Sequence, residues 1–467
     1  MIRDLKPYPA CKYSGAPRLG EVPEHWEVRR LKQVCRFAYG DALAAEMREH
    51  GSVPVYGSNG PVGFHSSANT EAPCLIIGRK GSFGKVNFSS EPVFAIDTTF
   101  FVDRRISDAD VRWLFYLLGW LRLDEVSRDS AVPGLDRVEA YQQIVTMPPF
   151  PEQAGIVRFL DHADRRIRRY IHAKQKLIKL LKEQEQTKIY QAVTRGLDPN
   201  VRLKPSGVEW LGDVPERWEV RRLKTLVRRI DQGVSPQAES YLADGNAWGV
   251  LKAGCVNHGV FKEREHKRLP GDYAFDPILA VAPGDVLVSR ASGSPHLVGS
   301  VGRVSSISYK VILSDKIFRP VFYSQDVDPD FMVLAMNSRY YRQQVEQAIS
   351  GAEGLANNLP LSSLRGLIFA IPPVEEQQAI IEYLRGSTEQ LRATLAQAER
   401  EIPLLREYRS RLISDVVTGK LDVREVAAQL LPEEADELEE SLIVNEAVNG
   451  DEAELPSDEL AEGEVVA

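Results

Sequence analysis

The chain has 467 residues, 43% hydrophobic and 27% charged, which points to a globular protein of two to four domains with real cores. No apolar run approaches the roughly 20 residues that a membrane helix requires, and Met1–Pro7 contains no apolar signal region, so a cytoplasmic location with no membrane partner is expected. The net charge is −8, but the last 36 residues from Pro432 hold fourteen Asp or Glu and no Lys or Arg, and taking those charges away leaves +6 on the rest; a mildly basic body with a separate acidic tail suits a polyanionic partner where a uniformly acidic chain would not.

Cys11, Cys35, Cys74 and Cys255 form no CxxC pair, so neither a zinc site nor a disulfide framework is indicated. The first informative block, SGAPRLGEVPEHWEVRRLK at Ser14–Lys32, returns 192 positions later as SGVEWLGDVPERWEVRRLK at Ser206–Lys224. In these leaders Trp26 and Val28, and likewise Trp218 and Val220, alternate with charged residues before Leu31 and Leu223, a pattern that predicts a short half-buried strand turning into a helix. Arg29, Arg30 and Lys32 fit phosphate contacts or a solvated face equally well.

The region after the first leader has short apolar runs between Gly, Pro, Asn and Ser, predicting strands at Val53–Tyr56, Cys74–Ile77, Val86–Phe88 and Thr98–Val102. A helix is expected at Ala109–Leu123, with Val111, Leu114, Phe115, Leu118 and Leu121 on one face. Gly78–Lys85, GRKGSFGK, superficially resembles a phosphate-cradling loop. Five residues stand between Gly78 and Gly84-Lys85 and Val86 follows, whereas a P-loop needs four and then Ser or Thr, which argues against nucleotide hydrolysis. Arg79, Lys80 and Lys85, on glycine-bent backbone beside a strand, are placed instead to meet a DNA groove or phosphates.

Pro151–Arg195 reads as one long helix entered through Pro148, Pro149 and Pro151, with Glu152 in its first turn. Ile156, Leu160, Ala163, Ile167, Tyr170, Lys174, Leu177 and Leu181 recur at alternating steps of four and three, a coiled-coil seam. A second copy runs from Glu376 to Lys420, and a shift of 224 positions aligns Met147–Asp198 with Ile371–Asp422 without a gap. Helices of about 45 residues span roughly 65 Å, longer than a compact domain needs, and look like spacers. Because the leaders repeat at 192 and the helices at 224, the second module is 32 residues longer in its variable part. This is a tandem duplication.

The second variable region predicts strands at Trp248–Leu251, Val286–Ser289, Ser300–Val304 and Val311–Leu313, a turn at Pro283-Gly284-Asp285, and one helix from about Asp330 to Ile349. Catalytic motifs are missing. Met147-Pro148-Pro149-Phe150 resembles the Asn/Asp-Pro-Pro-aromatic motif of amino-methyltransferases, but Met147 and its counterpart Ile371 cannot accept a hydrogen bond from a target amine. No acidic-x-Lys cluster suits a nuclease metal site. His65, His258 and His296 are scattered among glycines and polar residues, where base-edge contact and an ordinary loop role both fit.

The leaders ending in Trp26–Lys32 and Trp218–Lys224, the Pro-Pro-x-x-Glu-Gln entrances at Pro148–Gln153 and Pro372–Gln377, and the closing Thr194–Asp198 and Thr418–Asp422 together resemble the specificity subunits of type I restriction-modification systems. Gly57–Gly60, Gly78–Lys85, Asp97-Thr98, Pro283–Arg290 and Ser314–Lys316 look like segments of that family's recognition domains. The acidic tail is not part of its usual pattern. The resemblance implies α/β (α+β) target-recognition domains in tandem, separated by two long antiparallel coiled-coil helices in a pseudo-two-fold internal repeat. The expected divisions are residues 1–147 and 198–371 for the recognition domains, 148–197 and 372–425 for the helices, and 426–467 for a disordered acidic tail.

The implied function is non-catalytic reading of a bipartite asymmetric target in double-stranded DNA. Two modification subunits would bring S-adenosylmethionine and methylate adenine, restriction subunits would bring ATP- and Mg-dependent translocation and cleavage, and this chain itself would hold no cofactor or metal. Candidate DNA contacts are Asn59, Arg79, Lys80, Lys85, Lys252, Arg290 and Arg303. Candidate partner-binding helix positions are Ile156, Leu160, Ile167, Leu177, Leu181, Ile380, Leu384, Leu391, Ile402 and Leu405. The same sequence also fits an assembly scaffold that binds only proteins, which a weak response of binding to salt would reveal.

Overall fold

The computed structural model describes residues 5–125, 134–349 and 357–430; the acidic segment from Leu431 onward lies outside them. Among the described residues the chain gathers into two compact units, one within Met1–Ala173 and Glu401–Ala467, the other within Lys174–Arg400.

The first unit is organised by four antiparallel strands, β1 (Ala38–Tyr39), β2 (Cys74–Gly78), β3 (Val86–Ser89) and β4 (Thr99–Asp103), in the order β1-β4-β2-β3. The central strands read CLIIG and TFFVD, nearly continuous apolar runs, because both faces are covered. Alternate residues point to opposite sides of a strand. Leu75, Ile77, Phe100 and Val102 therefore join one buried cluster, while Cys74, Ile76 and Phe101 join another. Helix α1 (Val111–Leu121) supplies Val111, Trp113, Leu114 and Leu117 to the first cluster, and its N-cap Asp110 accepts from the Trp113 amide at 2.8 Å. Of the helix face expected from the sequence, Phe115 alone is half-buried rather than buried. A three-stranded sheet of Val53–Gly57 flanked by Gly60–His65 and Phe94–Ala95 adds Ala95 to the second cluster.

In the second unit β5 (Val227–Gln232), β6 (Val286–Ser289), β7 (Val301–Arg303) and β8 (Ile317–Phe322) take the matching order β5-β8-β6-β7, again antiparallel. Trp248–Leu251, between His266–Arg268 and Lys310–Ile312, forms the accompanying three-stranded sheet. The single helix expected from Asp330 to Ile349 is two, α3 (Pro329–Ala335) and α4 (Arg339–Ala348). Polar side chains cause the break. Asn337 donates to the Val333 carbonyl and the Ser338 hydroxyl to Ala335 O, satisfying backbone that a continuing helix would have bonded itself, while Asn337 also donates to Val301 O on β7.

The long helices are α2 (Phe150–Arg195) and α5 (Val374–Val417), of 46 and 44 residues. The diproline carbonyls start them. Glu152 and Gln153 amides donate to Pro149 O, and Glu376 and Gln377 amides to Pro373 O. The Gln153 carboxamide, fully buried, donates to Pro148 O at 2.9 Å and accepts from the Asp110 amide at 2.8 Å. Gln377 repeats this with Pro372 O and the Asp328 amide at the same two distances. Each long helix is thus bonded at its start to the N-cap of a helix of its own unit.

The helix ends rest on the leaders. In the first unit Gly419, at φ +78°, follows α5 and packs so closely on Pro23 and Trp26 that a Cβ would stand 2.3 Å from Pro23 Cδ. Thr146 donates to Val417 O at 2.8 Å beside it. In the second unit Gly196, at φ +76°, closes α2 against Trp218. Within that unit the two helices run antiparallel, since Lys182 meets Glu399, Glu185 meets Arg392 and Lys188 donates to Ser387 O; within the first, Asp164 binds Arg409.

The expected seam needs correction. Ile156, Leu160 and Ile167 are buried, but Tyr170 is 53% exposed and Ile171 packs on the core in its place. An α-helix drifts about 20° per heptad from a strict seven-residue repeat, so two heptads after Ile156 the next residue has turned inward. The first residues of the tail expected from residue 426 belong to a short helix, Arg424–Gln429, with Ala427 buried, and the rest of that tail from Leu431 lies outside the described residues.

Gly419→Ala is expected to lower the melting temperature, because left-handed backbone costs roughly 1–2 kcal/mol with a Cβ and the clash adds to it. Gly119→Ala, in α1 with open space around it, should raise it, by up to about 1 kcal/mol in stability. Thermal denaturation of the two variants checks both signs. The thiols offer a second test: burial pushes Cys35 up to about 12 and also raises Cys74 and Cys255, while Cys11 is exposed. A thiol reagent near neutral pH should titrate one cysteine in the folded chain and four in denaturant.

Candidate nucleic-acid interface

The loop Arg79–Gly84 leaves the end of β2 in a turn tight enough that glycine is required at its base, since a Cβ on Gly78 would lie 2.1 Å from Ser82 O. Gly78 and Gly84 close it, with Gly84 N donating to Gly78 O and Gly78 N to Lys85 O, both at 2.8 Å. Arg79 is consequently held by its own backbone, its amide donating to Thr98 O at 2.9 Å. Its guanidinium donates to Asp97 O at 3.2 Å, with Cζ 5.9 Å from the Phe100 ring and 4.9 Å from that of Tyr39. Arg137 brings a second guanidinium to 4.7 Å from Tyr39, which is 49% exposed. Cation–π contacts of this kind contribute about 0.5–1 kcal/mol at exposed sites, enough to orient the side chains.

The other candidates of this unit lie close by in the chain but differ in their ties. Lys80 is exposed at the loop's turn. Lys85 is anchored, donating to Asn59 O at 2.9 Å and Asn59 Oδ1 at 2.7 Å, so these two residues form one bonded pair across neighbouring turns. Arg29 pairs with Glu27, which favours the solvated-face alternative for that leader position.

In the second unit Arg290 leaves the end of β6. Its amide donates to Lys316 O at 2.7 Å, its guanidinium donates to Asp315 O at 3.1 Å, and its Cζ stands 5.9 Å from the Phe318 ring. Exposed Gln232 at the end of β5 donates to the same Asp315 carbonyl at 3.3 Å. Lys252 and Arg303 are engaged elsewhere, Lys252 with Glu265 at 3.9 Å and Arg303 with Asp330. Tyr39, Arg137 and Gln232 were not singled out by sequence reasoning. Only strand pairing, Tyr39 with Phe100 and Gln232 with Phe318, brings those two to the arginines, and Arg137 reaches Tyr39 from the helix Arg137–Gln142.

The helix positions assigned to partners need the opposite correction. Ile156, Leu160 and Ile167 sit in the core of the first unit and Ile380 and Leu384 in that of the second. Leu177, Leu181, Leu391, Ile402 and Leu405 are half-buried. Apolar side chains that the helices do present outward include Tyr170, Leu180, Tyr383 and Leu404.

Among the described residues no group of three or more His, Cys, Asp and Glu is arranged to hold a metal ion. His65 is buried and accepts from the Glu49 amide through Nδ1 at 3.0 Å. No described helix is long and apolar enough to cross a membrane.

Residues 23–180 match the family described as the type I restriction modification DNA specificity domain. The chain is 29% identical over 225 residues to the type I restriction enzyme EcoEI specificity subunit of Escherichia coli, a match spanning 47% of this chain and 38% of that relative. It is 23% identical over 421 residues to the type I restriction enzyme MjaVIII specificity subunit of Methanocaldococcus jannaschii, covering 86% of this chain and 94% of that one. Among solved structures, a chain from work on complex assembly and conformational transition of the type I R-M system shares the fold with a TM-score of 0.62 at 15% identity, covering 86% of this chain and 99% of that chain.

Proposed function

We infer that this chain, a relative of the type I restriction enzyme specificity subunits over most of its length, recognises DNA and selects the target sequence for a type I restriction-modification complex. One observation supports this most directly: two sheets of the same strand order each present an arginine at the end of the same strand, among loops that otherwise differ. Two readers with unlike loops suit a bipartite, asymmetric target in duplex DNA. The guanidiniums and neighbouring polar side chains are the groups that bind phosphate oxygens and base edges.

The chain is a non-catalytic subunit in this proposal. Methyl transfer with S-adenosylmethionine belongs to modification subunits, two per complex, and ATP- and Mg-dependent translocation and cleavage to restriction subunits, all in the cytoplasm. The tandem recognition domains lie in residues 1–147 and 198–371, with the long helices between and after them.

Binding of the full chain to duplex DNA should weaken steeply with salt, the slope of log affinity against log concentration being about 0.9 per phosphate contacted. Fluorescence anisotropy across a salt series measures it. A flat response would favour a protein-binding scaffold. Exchange of residues 225–370 for those of a relative should change one half of the methylated motif and leave the other intact, as read by methylome sequencing of cells carrying the modification subunit; a change in both halves would refute modular reading.

A further inference from the structure

The two arginine sites are alike in their fixed parts and unlike in the residue paired with the adjacent phenylalanine. Arg79 N donates to Thr98 O and Leu135 N to Arg79 O; Arg290 N donates to Lys316 O and Leu359 N to Arg290 O, all between 2.7 and 2.9 Å. Each guanidinium spends a donor on an aspartate backbone carbonyl, of Asp97 or Asp315, and lies 5.9 Å from a phenylalanine of the adjacent strand. The residue paired with that phenylalanine differs. It is Tyr39 opposite Phe100 and Gln232 opposite Phe318.

A feature that recurs between units with unlike loops serves what two half-sites share, and their shared chemistry is the phosphate backbone. A feature that changes serves what differs between them, the bases. Resting on the DNA reading above, we propose that Arg79 and Arg290 are phosphate-positioning residues and that Tyr39 and Gln232 determine specificity at one base pair in each half-site.

The chemistry of each group fits its role. A guanidinium has five N–H donors; with one used on the aspartate carbonyl, the others remain for phosphate oxygens, and the strand end and ring hold the group in place. Gln232 commits one amide hydrogen to Asp315 O and keeps its carbonyl and second hydrogen, the acceptor and donor that pair with adenine N6 and N7 in the major groove. Tyr39, flanked by Arg79 and Arg137, offers a hydroxyl that donates or accepts. The two units are therefore expected to prefer different bases at corresponding positions.

The test uses the full chain and a pool of random-sequence duplex DNA, with the bound fraction sequenced and affinity followed over a salt series. Arg79→Ala and Arg290→Ala should weaken binding to all duplexes alike and flatten the salt slope by about one each, with the selected sequences unchanged. Tyr39→Ala and Gln232→Ala should leave non-specific affinity and salt slope within about twofold while preference at one position of one half falls roughly tenfold. Arg79→Lys and Arg290→Lys guard against misfolding of the alanine variants: the retained charge should preserve both the salt slope and the selected sequences. The assignment is overturned if an arginine variant, alanine or lysine, changes the selected sequence, if Tyr39→Ala or Gln232→Ala weakens every duplex equally, or if a folded alanine variant binds as the parent does. Absence of salt-dependent binding by the unmodified chain would instead refute DNA recognition itself.

Discussion

An amide side chain buried away from water must have both its donor and its acceptor satisfied, or its unit loses about 1–3 kcal/mol. Gln153 and Gln377 meet that demand, with no exposed surface, by bonding to the proline carbonyl at the start of a long helix and to the capping residue of a shorter helix in the same unit. Each carboxamide therefore joins two elements that apolar packing alone would leave free to slide. The prolines add rigidity, since their fixed φ suits the approach to a helix. The sheet, the helix packed on it and the start of the long helix become one body, and the orientation of the arginine loops follows from it.

Within that body the apolar strands do a second job. Because β2 and β4 are covered on both faces, and β6 and β8 occupy the same places in the other unit, their ends are held by cores on either side. The residue after β2 or β6 leaves a rigid platform, so a long side chain there loses little additional freedom when it meets a ligand. The surrounding loops carry no such constraint and are free to differ, as the bonded Asn59–Lys85 pair in one unit and the Lys252–Glu265 pair in the other illustrate. Stability and variability are thereby assigned to different atoms of the same domain.

The leaders explain why Trp26 and Trp218 recur with their neighbours. Each indole is completely buried where a helix-terminating glycine passes over it, and no larger residue than glycine fits at Gly419. The first unit is completed by chain from beyond residue 400: Lys6 O accepts from the Asp422 amide, and Tyr8 donates to Glu152 while its ring lies 5.0 Å from the Arg424 guanidinium. Residues far apart in sequence thus close a single core.

Periodicity and repetition in the sequence by themselves determined the strand runs, the two long helices, the duplicated leaders and the diproline entrances, because these depend on neighbours a few residues apart. Arg79 and Arg290 were visible too, as cations beside glycine- or serine-rich turns. Tertiary structure decided the rest. Asn337 and Ser338 broke an otherwise periodic helix through bonds to the backbone, one of them to Val301 on a distant strand; the seam turned from Tyr170 to Ile171 as helical drift accumulated; and several supposed partner-binding leucines and isoleucines were taken into the chain's own cores. Tyr39, Arg137 and Gln232 gave no local signal, since their places depend on strand register and on rings and carbonyls contributed from 60 or more residues away. Short-range pattern dictates which elements form, whereas a site assembled from several elements exists only after long-range pairing has chosen their neighbours.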